Sequence, residues 1–382
     1  NPQRSYPTLH VAGTNGKGSV VAFAASILRA AGYKVGRFTS PHLLDVSERF
    51  LIDGDPIPDA DLDSQIEFFR SAAQSFPNPP TYFELCTAIA LRYFAEQNVE
   101  AAVVEVGMGG RFDSTNIIEP EACAITNIDY DHMKYLGGTL DAIAFEKAGI
   151  IKPGVPAIVG EHRSGPFDVI VSIAQERNAP LRLKGNNFTY TAQGDALAPA
   201  ITYRGPRFQL TESPIGLAGM HQVENAALAI ALVESITGRF CITNNAVARG
   251  IADTRWPCRL ERVLDDPPVY IDVAHNPAGI QRLAESMPPC IVVFAASSDK
   301  NIKEMIEGLK PIASRLLITS FEGARATPLH VLDRVASDIE HTLHGSLRDA
   351  IAAGIAEASE KRPLLITGSI FTAAQARQVL VD

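Results

Sequence analysis

Apolar and polar positions along the chain form alternating blocks that predict strands and helices as far as residue 180. Residues 9–12 form an apolar stretch typical of a strand, and residues 20–31 predict a helix that ends at Gly32. Thr81 and Glu84 have the spacing of a capping box, which predicts that another helix begins there. Further strand candidates lie at residues 33–39, 49–52, 101–106 and 122–127. Strands and helices in alternation predict a parallel sheet with helices on both faces.

The pattern changes over residues 181–215, where Gly and Pro separate short segments. Phe188-Thr189-Tyr190 and Ile201-Thr202-Tyr203 predict hairpins appended to the α/β core. A helical pattern returns over residues 221–236 and breaks near Trp256, where we place a domain boundary. A second series of strand candidates, with helical segments between them, follows at residues 269–273, 291–294, 315–319 and 364–367.

The composition, with 46% hydrophobic and 20% charged residues in a chain of 382, is that of an ordinary globular protein long enough for two cores. No apolar run reaches the roughly 20 residues that a membrane-spanning helix needs, and the first residues do not resemble a signal peptide. We therefore expect a cytoplasmic protein without a membrane partner. The chain begins at Asn1 without a methionine, so we expect that some N-terminal sequence is missing.

The chain is acidic, because 43 acidic and 34 basic residues give a formal net charge of -9. A general nucleic-acid-binding protein would show a basic face, so we expect no nucleic-acid partner, although a few local cations suffice for an ATP site. The cysteines form no CxxC pair, which fits a reducing compartment and argues against disulfides or a zinc site. We expect mostly buried thiols at Cys86, Cys123, Cys241, Cys258 and Cys290.

A glycine-rich loop joins the first predicted strand to the first predicted helix. Its residues are Gly13, Thr14, Asn15, Gly16, Lys17, Gly18 and Ser19. Such a loop converges backbone N–H groups on an anion, and the helix N-terminus adds a partial positive charge. We predict that the loop binds the phosphates of a nucleotide and that Lys17 reaches the β- and γ-phosphates.

This loop departs from the common P-loop, which has a glycine where Val11 stands and Ser or Thr where Gly18 stands. We therefore predict a shortened variant, in which a hydroxyl that holds magnesium comes from elsewhere. The alternative is a simple Gly/Asn turn. Turn chemistry alone, however, does not require the lysine, the strand and the helix together.

Glu105 lies near the end of the apolar strand predicted over residues 101–106. A carboxylate inside such a strand is costly unless it is compensated, and a divalent cation would compensate it. The carboxyl end of a strand is also where an open α/β sheet binds ligands. The alternative is a structural salt bridge, for which Arg111 is the only cation close by in the sequence.

Residue chemistry alone does not assign a functional role to four further polar residues. His132 follows another strand end, where a satisfied loop histidine and a metal ligand paired with Glu105 are equally plausible. Lys147 lies near a predicted helix end, which indicates a surface lysine that favours the helix C-terminus. Asp272 and His275 follow the first strand of the second domain and form either a ligand-binding cluster or an Asn-Pro turn.

Six motifs follow one another at a familiar spacing and cover essentially the whole chain. They are GTNGKGS at residues 13–19, TSPHL at 39–43, EVGMGGR at 105–111, EKAGI at 146–150, WPCRLE at 256–261 and DVAHNP at 272–277. With these motifs the chain resembles folylpolyglutamate synthase and its bifunctional dihydrofolate synthase form, members of the Mur ligase superfamily. The predicted fold is therefore α/β. Residues 1–256 would form a P-loop parallel-sheet ATPase domain with a small appended β region, and residues 257–382 a smaller Rossmann-like glutamate-ligase domain.

The resemblance implies roles for the nucleotide-binding residues. Residues 13–19 would hold the ATP phosphates, and Asn225 would meet the base. Arg259, Asp272 and His275 would reach the nucleotide from the second domain. ATP would then lie between the domains, and their closure would assemble the site.

The resemblance also implies a metal site. Ser40, Glu105 and His132 would hold two Mg²⁺ ions. Lys147 would be carbamylated, and its new carboxylate-like group would support the second ion, which replaces the surface role given above. The residues to which the resemblance gives catalytic roles are Lys17, Glu105, His132, Lys147 and His275.

For the substrates, the resemblance places the pterin at Phe83 and Arg111, and His42 together with Arg111 favours the bifunctional form. The segment Phe294-Ala295-Ala296-Ser297-Ser298-Asp299-Lys300 departs from the family, which usually has a glycine after the aromatic residue. This loop is a candidate for holding the incoming glutamate. The segment that normally precedes the first strand is also absent.

The predicted activity is an ATP-dependent amide ligase. A carboxylate of a folate would attack the γ-phosphate of ATP to give an acyl phosphate, which the amine of L-glutamate then attacks. The folate partner is tetrahydrofolate or dihydropteroate, and we expect a monomer.

One alternative function is that of a muramyl-peptide ligase, which would carry an N-terminal UDP-binding domain. A rival of another class is a nucleotide-binding switch, which would need guanine-reading residues and gives no reason for the second domain.

Overall fold

Apolar strands and helices alternate along the chain as their sequence patterns require, and they divide it into two units. The computed structural model describes residues 1–74 and 76–381, so Asp382, with which the predicted second domain ends, lies outside the described residues. The N-terminal unit contains Asn1–Gln193, Ala200–Gly216 and Gln222–Thr254. The C-terminal unit contains Gly194–Pro199, Leu217–His221 and the chain from Arg255 onward.

Over the described residues, the main sheet of the N-terminal unit has eight strands in the order β4-β3-β2-β5-β1-β6-β7-β8. They are β1 Thr8–Ala12, β2 Val35–Phe38, β3 Phe50–Ile52, β4 Asp55–Pro56, β5 Ala101–Glu105, β6 Ala122–Ile125, β7 Ala157–Val159 and β8 Leu181–Leu183. The strands from β2 to β8 pair in parallel, whereas β3 and β4 extend the sheet in antiparallel fashion. β1, β5 and β6 are buried along their whole length, as expected for central parallel strands.

The helices of this unit include those predicted over residues 20–31, from Thr81 onward and over residues 221–236. They are α1 Lys17–Ala30, α2 Asp59–Ala73, α3 Tyr82–Glu96, α4 Met133–Leu136, α5 Leu140–Ala148, α6 Pro166–Glu176, α7 His221–Glu234 and α8 Asn244–Asp253. The predicted capping box is confirmed, because Thr81 and Glu84 each accept a hydrogen bond from the other's backbone N–H. α1 begins earlier than predicted, inside the glycine-rich loop, and the chain leaves it through Gly32 at a φ of 94°.

A small antiparallel sheet is appended to the main one and consists of β9 Thr189–Asp195, β10 Ala198–Arg204 and β11 Gln209–Pro214. Its two predicted segments are confirmed as parts of β9 and β10. The prediction was wrong for residues 181–183, which were assigned to the hairpins. These residues form β8 and pair in parallel with β7, because an edge strand of three half-buried residues leaves little sequence signal.

Over the described residues, the C-terminal unit has a six-stranded sheet in the order β12-β13-β17-β14-β15-β16. Its strands are β12 Glu261–Asp265, β13 Pro268–Ile271, β14 Cys290–Phe294, β15 Ala313–Ile318, β16 His341–Leu343 and β17 Leu364–Thr367. Its helices are α9 Pro277–Ala284, α10 Ile302–Leu309, α11 Leu329–Val335, α12 Leu347–Glu357 and α13 Ile370–Leu380. The four predicted strands are confirmed. The sequence did not reveal β12 and β16, the two edge strands, since they are polar and partly exposed.

Two further sequence predictions can be compared with the fold. The five cysteines are free thiols, and all except Cys241 are buried. Among the described residues, we find no helix with the length and apolar character needed to cross a bilayer.

A buried carboxylate joins the small sheet to α7. Glu234, which is 3% exposed, accepts hydrogen bonds from the backbone N–H groups of Arg207 at 2.7 Å and Phe208 at 2.9 Å. The hydroxyl of Tyr203 donates a third bond at 3.2 Å. The turn between β10 and β11 therefore has its N–H groups satisfied by a side chain of the helix.

We predict that Glu234→Ala lowers the free energy of unfolding by about 3 kcal/mol, because it removes the acceptor of the buried Phe208 N–H and Tyr203 hydroxyl and of the partly buried Arg207 N–H. Chemical unfolding followed by circular dichroism measures the change. Glu176→Ala, at the exposed end of α6, is the matched control and is expected to stay within about 0.5 kcal/mol of the unchanged protein. Equal unfolding midpoints for the two variants would contradict the anchoring role of Glu234.

Candidate functional site

The glycine-rich loop lies between β1 and α1, at the carboxyl edge of the main sheet. Gly13 has a φ of 147°, and a Cβ at this position would overlap Oγ1 of Thr126. Gly16 has a φ of 83° at the N-cap of α1, and a Cβ there would overlap the side-chain oxygen of Asn225. Both positions therefore require glycine, for conformation as well as for space.

The segment that follows β6 holds the loop in place. The Asn127 carbonyl accepts from the Thr14 backbone N–H at 2.9 Å, and its side-chain oxygen accepts from the Asn15 N–H at 2.9 Å. The Thr126 hydroxyl donates to the Asn15 carbonyl at 2.6 Å, and the Asp129 N–H donates to the Thr14 hydroxyl at 2.9 Å. We call these contacts between residues 126–129 and the loop the brace. The sequence did not predict the brace, and its only signal was the polar run directly after the end of a strand.

Two lysines converge on one carbonyl of the loop. The ammonium group of Lys17 donates to the carbonyls of Gly13 and Thr14, each at 3.1 Å. The ammonium group of Lys147, in the last turn of α5, donates to the same Gly13 carbonyl at 2.8 Å. The structure thus brings together two residues that are 130 positions apart in sequence and that both had predicted catalytic roles.

Lys147 is not a surface lysine, because only 5% of it is exposed. Burial, together with the positive charge of Lys17, lowers the pKa of its amine to about 7, although Asp131 and Asp113 oppose the shift. A lysine with this pKa has a substantial neutral fraction at neutral pH. The amine is therefore available as a nucleophile, which an exposed lysine is not.

The loop after β5 packs closely on the end of α5 that carries Lys147. A Cβ on Gly110 would lie 2.8 Å from the Glu146 carbonyl and 2.9 Å from that of Lys147. The Arg111 backbone N–H donates to the Glu146 carbonyl at 2.8 Å, and the Arg111 guanidinium pairs with the Glu146 carboxylate at 2.7 Å. The glycine allows this approach, and the approach fixes the position of Arg111.

Glu105 ends β5 as predicted and is 4% exposed. The backbone N–H of Ser40 donates to its carboxylate at 3.3 Å, so two of the residues proposed for the metal site meet here. Burial and Arg29 lower the pKa of Arg37, on the neighbouring strand β2, to about 10, and the charge of Glu105 opposes that shift. Arg37 is therefore a cation near Glu105. It was not predicted, because only cations close to Glu105 in the sequence were considered, and Arg111 was the only one.

His132 begins α4 with a φ of 50°, and its side chain is about half exposed. Its Nε2 atom lies 3.9 Å from the carboxylate of Asp131. Among residues 1–74 and 76–381, no group of three or more His, Cys, Asp and Glu side chains is arranged to hold a metal. The set Ser40, Glu105, His132 and Lys147 includes a hydroxyl and a modified lysine, and it stays a prediction.

The residues proposed for the substrate lie on the elements around this edge. Nδ1 of His42 accepts from Nε of Arg49 at 3.0 Å, and burial and the charge of Arg49 lower the pKa of His42. A neutral His42 therefore carries its proton on Nε2. The ring of Phe83 packs over Gly107, where a Cβ would overlap it, and lies 5.9 Å from the ring of Phe38.

Arg111 is placed between two aromatic rings. Its guanidinium carbon lies 4.1 Å from the centre of the Phe112 ring and 5.0 Å from that of Phe145.

Asn225, proposed for the nucleotide base, is buried and donates from its side-chain amide to Gln222 at 2.9 Å.

The predicted residues of the C-terminal unit form a cluster of their own. The carboxylate of Asp272 is buried and accepts from the backbone N–H groups of Leu260 at 2.9 Å and Ala274 at 2.7 Å. Burial raises the pKa of Asp272, and the charge of Arg259 opposes that shift. Nδ1 of His275 lies 2.9 Å from the Val273 carbonyl and must donate to it, because the carbonyl can only accept.

The candidate glutamate loop follows β14. The hydroxyl of Ser297 lies 3.3 Å from that of Ser369, and the Ser298 N–H donates to the Arg325 carbonyl at 3.0 Å. Arg325 also pairs with Asp299 at 3.1 Å. The loop is therefore ordered by neighbouring segments of the same unit without the usual glycine.

The fold and the loop define a P-loop nucleotide-binding protein with a second α/β unit. The sequence matches the Mur ligase middle domain over residues 11–233 and the Mur ligase glutamate ligase domain over residues 258–370. The dihydrofolate synthase/folylpolyglutamate synthase of Bacillus subtilis (strain 168) is 36% identical to the chain, over 100% of the chain and 92% of the relative. The chain belongs to the folylpolyglutamate synthase family of Mur ligases, and the resemblance seen in its motifs is confirmed.

Solved structures agree with this assignment. Mycobacterium tuberculosis folylpolyglutamate synthase complexed with ADP and AMPPCP is similar with a TM-score of 0.93 and 34% identity, over 100% of this chain and 92% of that chain. E. coli FolC in complex with DHPP and ADP is similar with a TM-score of 0.90 and 31% identity, over 99% and 90% of the two chains. The predicted fold class is confirmed.

We predict that Asn127→Ala weakens ATP binding by about tenfold, because it removes the acceptor of the Asn15 N–H and loosens the loop. Titration with a fluorescent ATP analogue measures the affinity. Asn245→Ala, on an exposed position of α8, is the matched control and should bind like the unchanged protein. An unchanged affinity in Asn127→Ala would show that the brace is not needed for the loop to bind phosphate.

Proposed function

We propose that this chain is an ATP-dependent amide ligase that adds L-glutamate to a folate through an acyl phosphate. The observation that carries the proposal is the convergence of Lys17 and Lys147 on the Gly13 carbonyl, within the phosphate-binding loop. Family membership over the full chain supports it, and the ligase class predicted from the sequence is confirmed at the level of the family. We also propose that the protein is a cytoplasmic monomer.

The reaction divides into two steps. In the first, a carboxylate oxygen of the folate attacks the γ-phosphorus of ATP, an O–P bond forms, and the bond to ADP breaks. In the second, the glutamate amine attacks the acyl carbon, a C–N bond forms, and phosphate leaves while the amine loses a proton. Backbone N–H groups of residues 13–19 bind the phosphates in both steps.

Lys17 has a mobile role in this scheme. Its ammonium group lies on the carbonyls of Gly13 and Thr14, at the mouth of the loop. A γ-phosphate bound in the loop is a stronger acceptor than a carbonyl, so Lys17 turns towards it and neutralises charge on the transferring group. His275, Asp272, Arg259 and Asn225 keep their proposed contacts with the nucleotide.

The donors around Glu105 fit a magnesium site. The buried carboxylate of Glu105 and the hydroxyl of Ser40 supply the oxygen atoms that Mg²⁺ prefers, and His132 adds a less usual nitrogen ligand. We propose that these residues and Lys147 hold two Mg²⁺ ions. When bound, the ions would polarise the phosphoryl oxygens of ATP.

Lys147 fits a carbamate for a separate reason. Its amine is buried and its pKa is lowered to about 7, so it is neutral above that pH and can attack carbon dioxide. The nitrogen of the neutral amine forms a C–N bond to the carbon of carbon dioxide and releases one proton, and the side chain becomes an anion that is longer by one carboxylate group. We propose this modification because a cation at this place would repel both Lys17 and any bound metal.

The substrates follow from the surroundings of the loop after β5. We propose that Phe83 and Arg111 bind the pterin and that His42 lies on its path, with either tetrahydrofolate or dihydropteroate as acceptor. The relatives named for both activities support this, as does a neighbour that contains DHPP. The match to a glutamate ligase domain over residues 258–370 supports glutamate as the amine.

We predict that Lys17→Ala abolishes turnover without unfolding the protein, because it removes a charge and no core packing. ADP release that depends on both a folate and L-glutamate measures activity, and thermal melting checks the fold. Lys303→Ala, at an exposed position of α10, is the control and should keep its activity. Turnover near the unchanged level in Lys17→Ala would refute the phosphate role. ADP release that needs neither substrate would favour a nucleotide switch.

We predict that Lys147→Ala is inactive and that added acetate restores part of the activity by supplying a carboxylate. The direct measurement is a carbon-13 NMR signal from labelled bicarbonate, which should appear in the unchanged protein and vanish in the variant. Because the free amine is required, the signal should grow as the pH rises through about 7. If an active protein with its metal ions bound gives no such signal, Lys147 is not carbamylated and acts only through the charge of its ammonium group.

A further inference from the structure

A cavity opens at the carboxyl edge of the main sheet, beside β7 and β8. Its volume is about 550 Å³, which lies in the range of sites for small organic ligands. All of its walls belong to the N-terminal unit. They are the loop after β7, the turn after β8, Phe167 of α6, Tyr190 of β9, and Glu224 and Leu228 of α7. None of these residues belongs to the set that was assigned to the phosphates, the metal or the pterin.

The floor of the cavity is apolar and firmly built. Phe188 is 3% exposed, and its ring stacks on that of Tyr203 at 5.8 Å. A Cβ on Gly160 would lie 2.9 Å from Leu228 and would overlap the Thr126 carbonyl, so glycine alone allows this close contact. The turn after β8 is closed by a hydrogen bond from the Gly185 N–H to the Phe188 carbonyl at 2.8 Å.

One acidic residue of the lining, Glu161, uses its carboxylate in hydrogen bonds and an ion pair within the protein. Glu161 accepts from the backbone N–H groups of Ile128 and His162, each at 2.9 Å, and pairs with Arg163 at 2.7 Å. Despite the opposing effect of burial, these bonds lower the pKa of Glu161 to about 2, and the carboxylate stays ionised. Glu161 therefore shapes the loop and has no acceptor capacity left to define a ligand.

A second acidic residue of the lining, Glu224, carries a carboxylate that is not engaged. Glu224 is half-buried at the start of α7, and within the described part of the chain its carboxylate has no hydrogen-bond or ion-pair partner. Elsewhere in the lining, the ammonium group of Lys184 lies 4.1 Å from the centre of the Tyr190 ring. The cavity thus combines flat aromatic walls with a charged acceptor for donated hydrogen bonds.

We propose that this cavity binds an amino-substituted heteroaromatic ring, the chemistry shared by a purine base and a pterin. The aromatic walls stack on the flat ring, and Glu224 accepts from its exocyclic amino group. Asn186 and His162, which also line the cavity, contact the edge of the ring. The proposal does not rest on the ligase reaction, because neither the glycine-rich loop nor the residues of the metal site take part.

The test uses the full chain with its phosphate loop filled by AMPPCP, so that a probe reports on another site. Adenosine is titrated by calorimetry and unsubstituted pterin by its fluorescence, both without glutamate. We expect one of the two probes to bind with one equivalent per chain. Adenosine binding identifies a site for nucleosides, and pterin binding identifies a site for the ring of a folate.

Two variants locate the bound probe. Glu224→Ala should weaken it by about tenfold, through loss of the acceptor. Asn186→Trp, on an exposed turn, should abolish binding by filling the mouth. Glu176→Ala is the control carboxylate and should bind normally. The proposal is overturned if neither probe binds the unchanged protein, or if binding survives both variants. Because no turnover is measured, these results are independent of whether the protein is a ligase.

Discussion

The carbonyl oxygen of Gly13 accepts hydrogen bonds from the ammonium groups of both Lys17 and Lys147, and the candidate site depends on this shared contact. One carbonyl oxygen can accept from both nitrogen atoms because it has two lone pairs, and the lowered pKa of Lys147 limits the repulsion between the two side chains. The contact joins α1, which carries the phosphate loop, to α5, which carries the nucleophilic amine. It also depends on the φ of 147° at Gly13, which no other residue adopts easily.

The surrounding structure keeps this contact in place from two sides. On one side, Asn127 and its neighbours bind the backbone of the loop and fix it to the end of β6. On the other side, Gly110 lets the chain after Glu105 lie against the end of α5. Both supports use backbone groups, so the site has little freedom before a ligand arrives. A preorganised loop spends less of its binding free energy on ordering.

Some of the site could be foreseen and some could not. Glu105 was identified because a carboxylate at the end of an apolar strand is chemically unusual. The environment of Lys147 could not be derived, since a lysine in the last turn of a helix is ordinarily exposed, and only the family resemblance pointed to it. Asn127 and Arg37 were missed because their partners lie on other strands. Sequence spacing carries no information about such contacts.

The sequence by itself determined the order of strands and helices, the capping box at Thr81, the glycine-rich loop and the family. These follow from local patterns, in which apolar periodicity and turn residues act over a few positions. Only the tertiary structure decided that residues 181–183 join the main sheet, that Lys147 is buried against Gly13, and that a cavity forms beside β7. Each of these features depends on segments that are distant in the sequence and that the burial of apolar surface brings together. Because the hydrophobic effect is non-directional, no local sequence pattern predicts which segments meet.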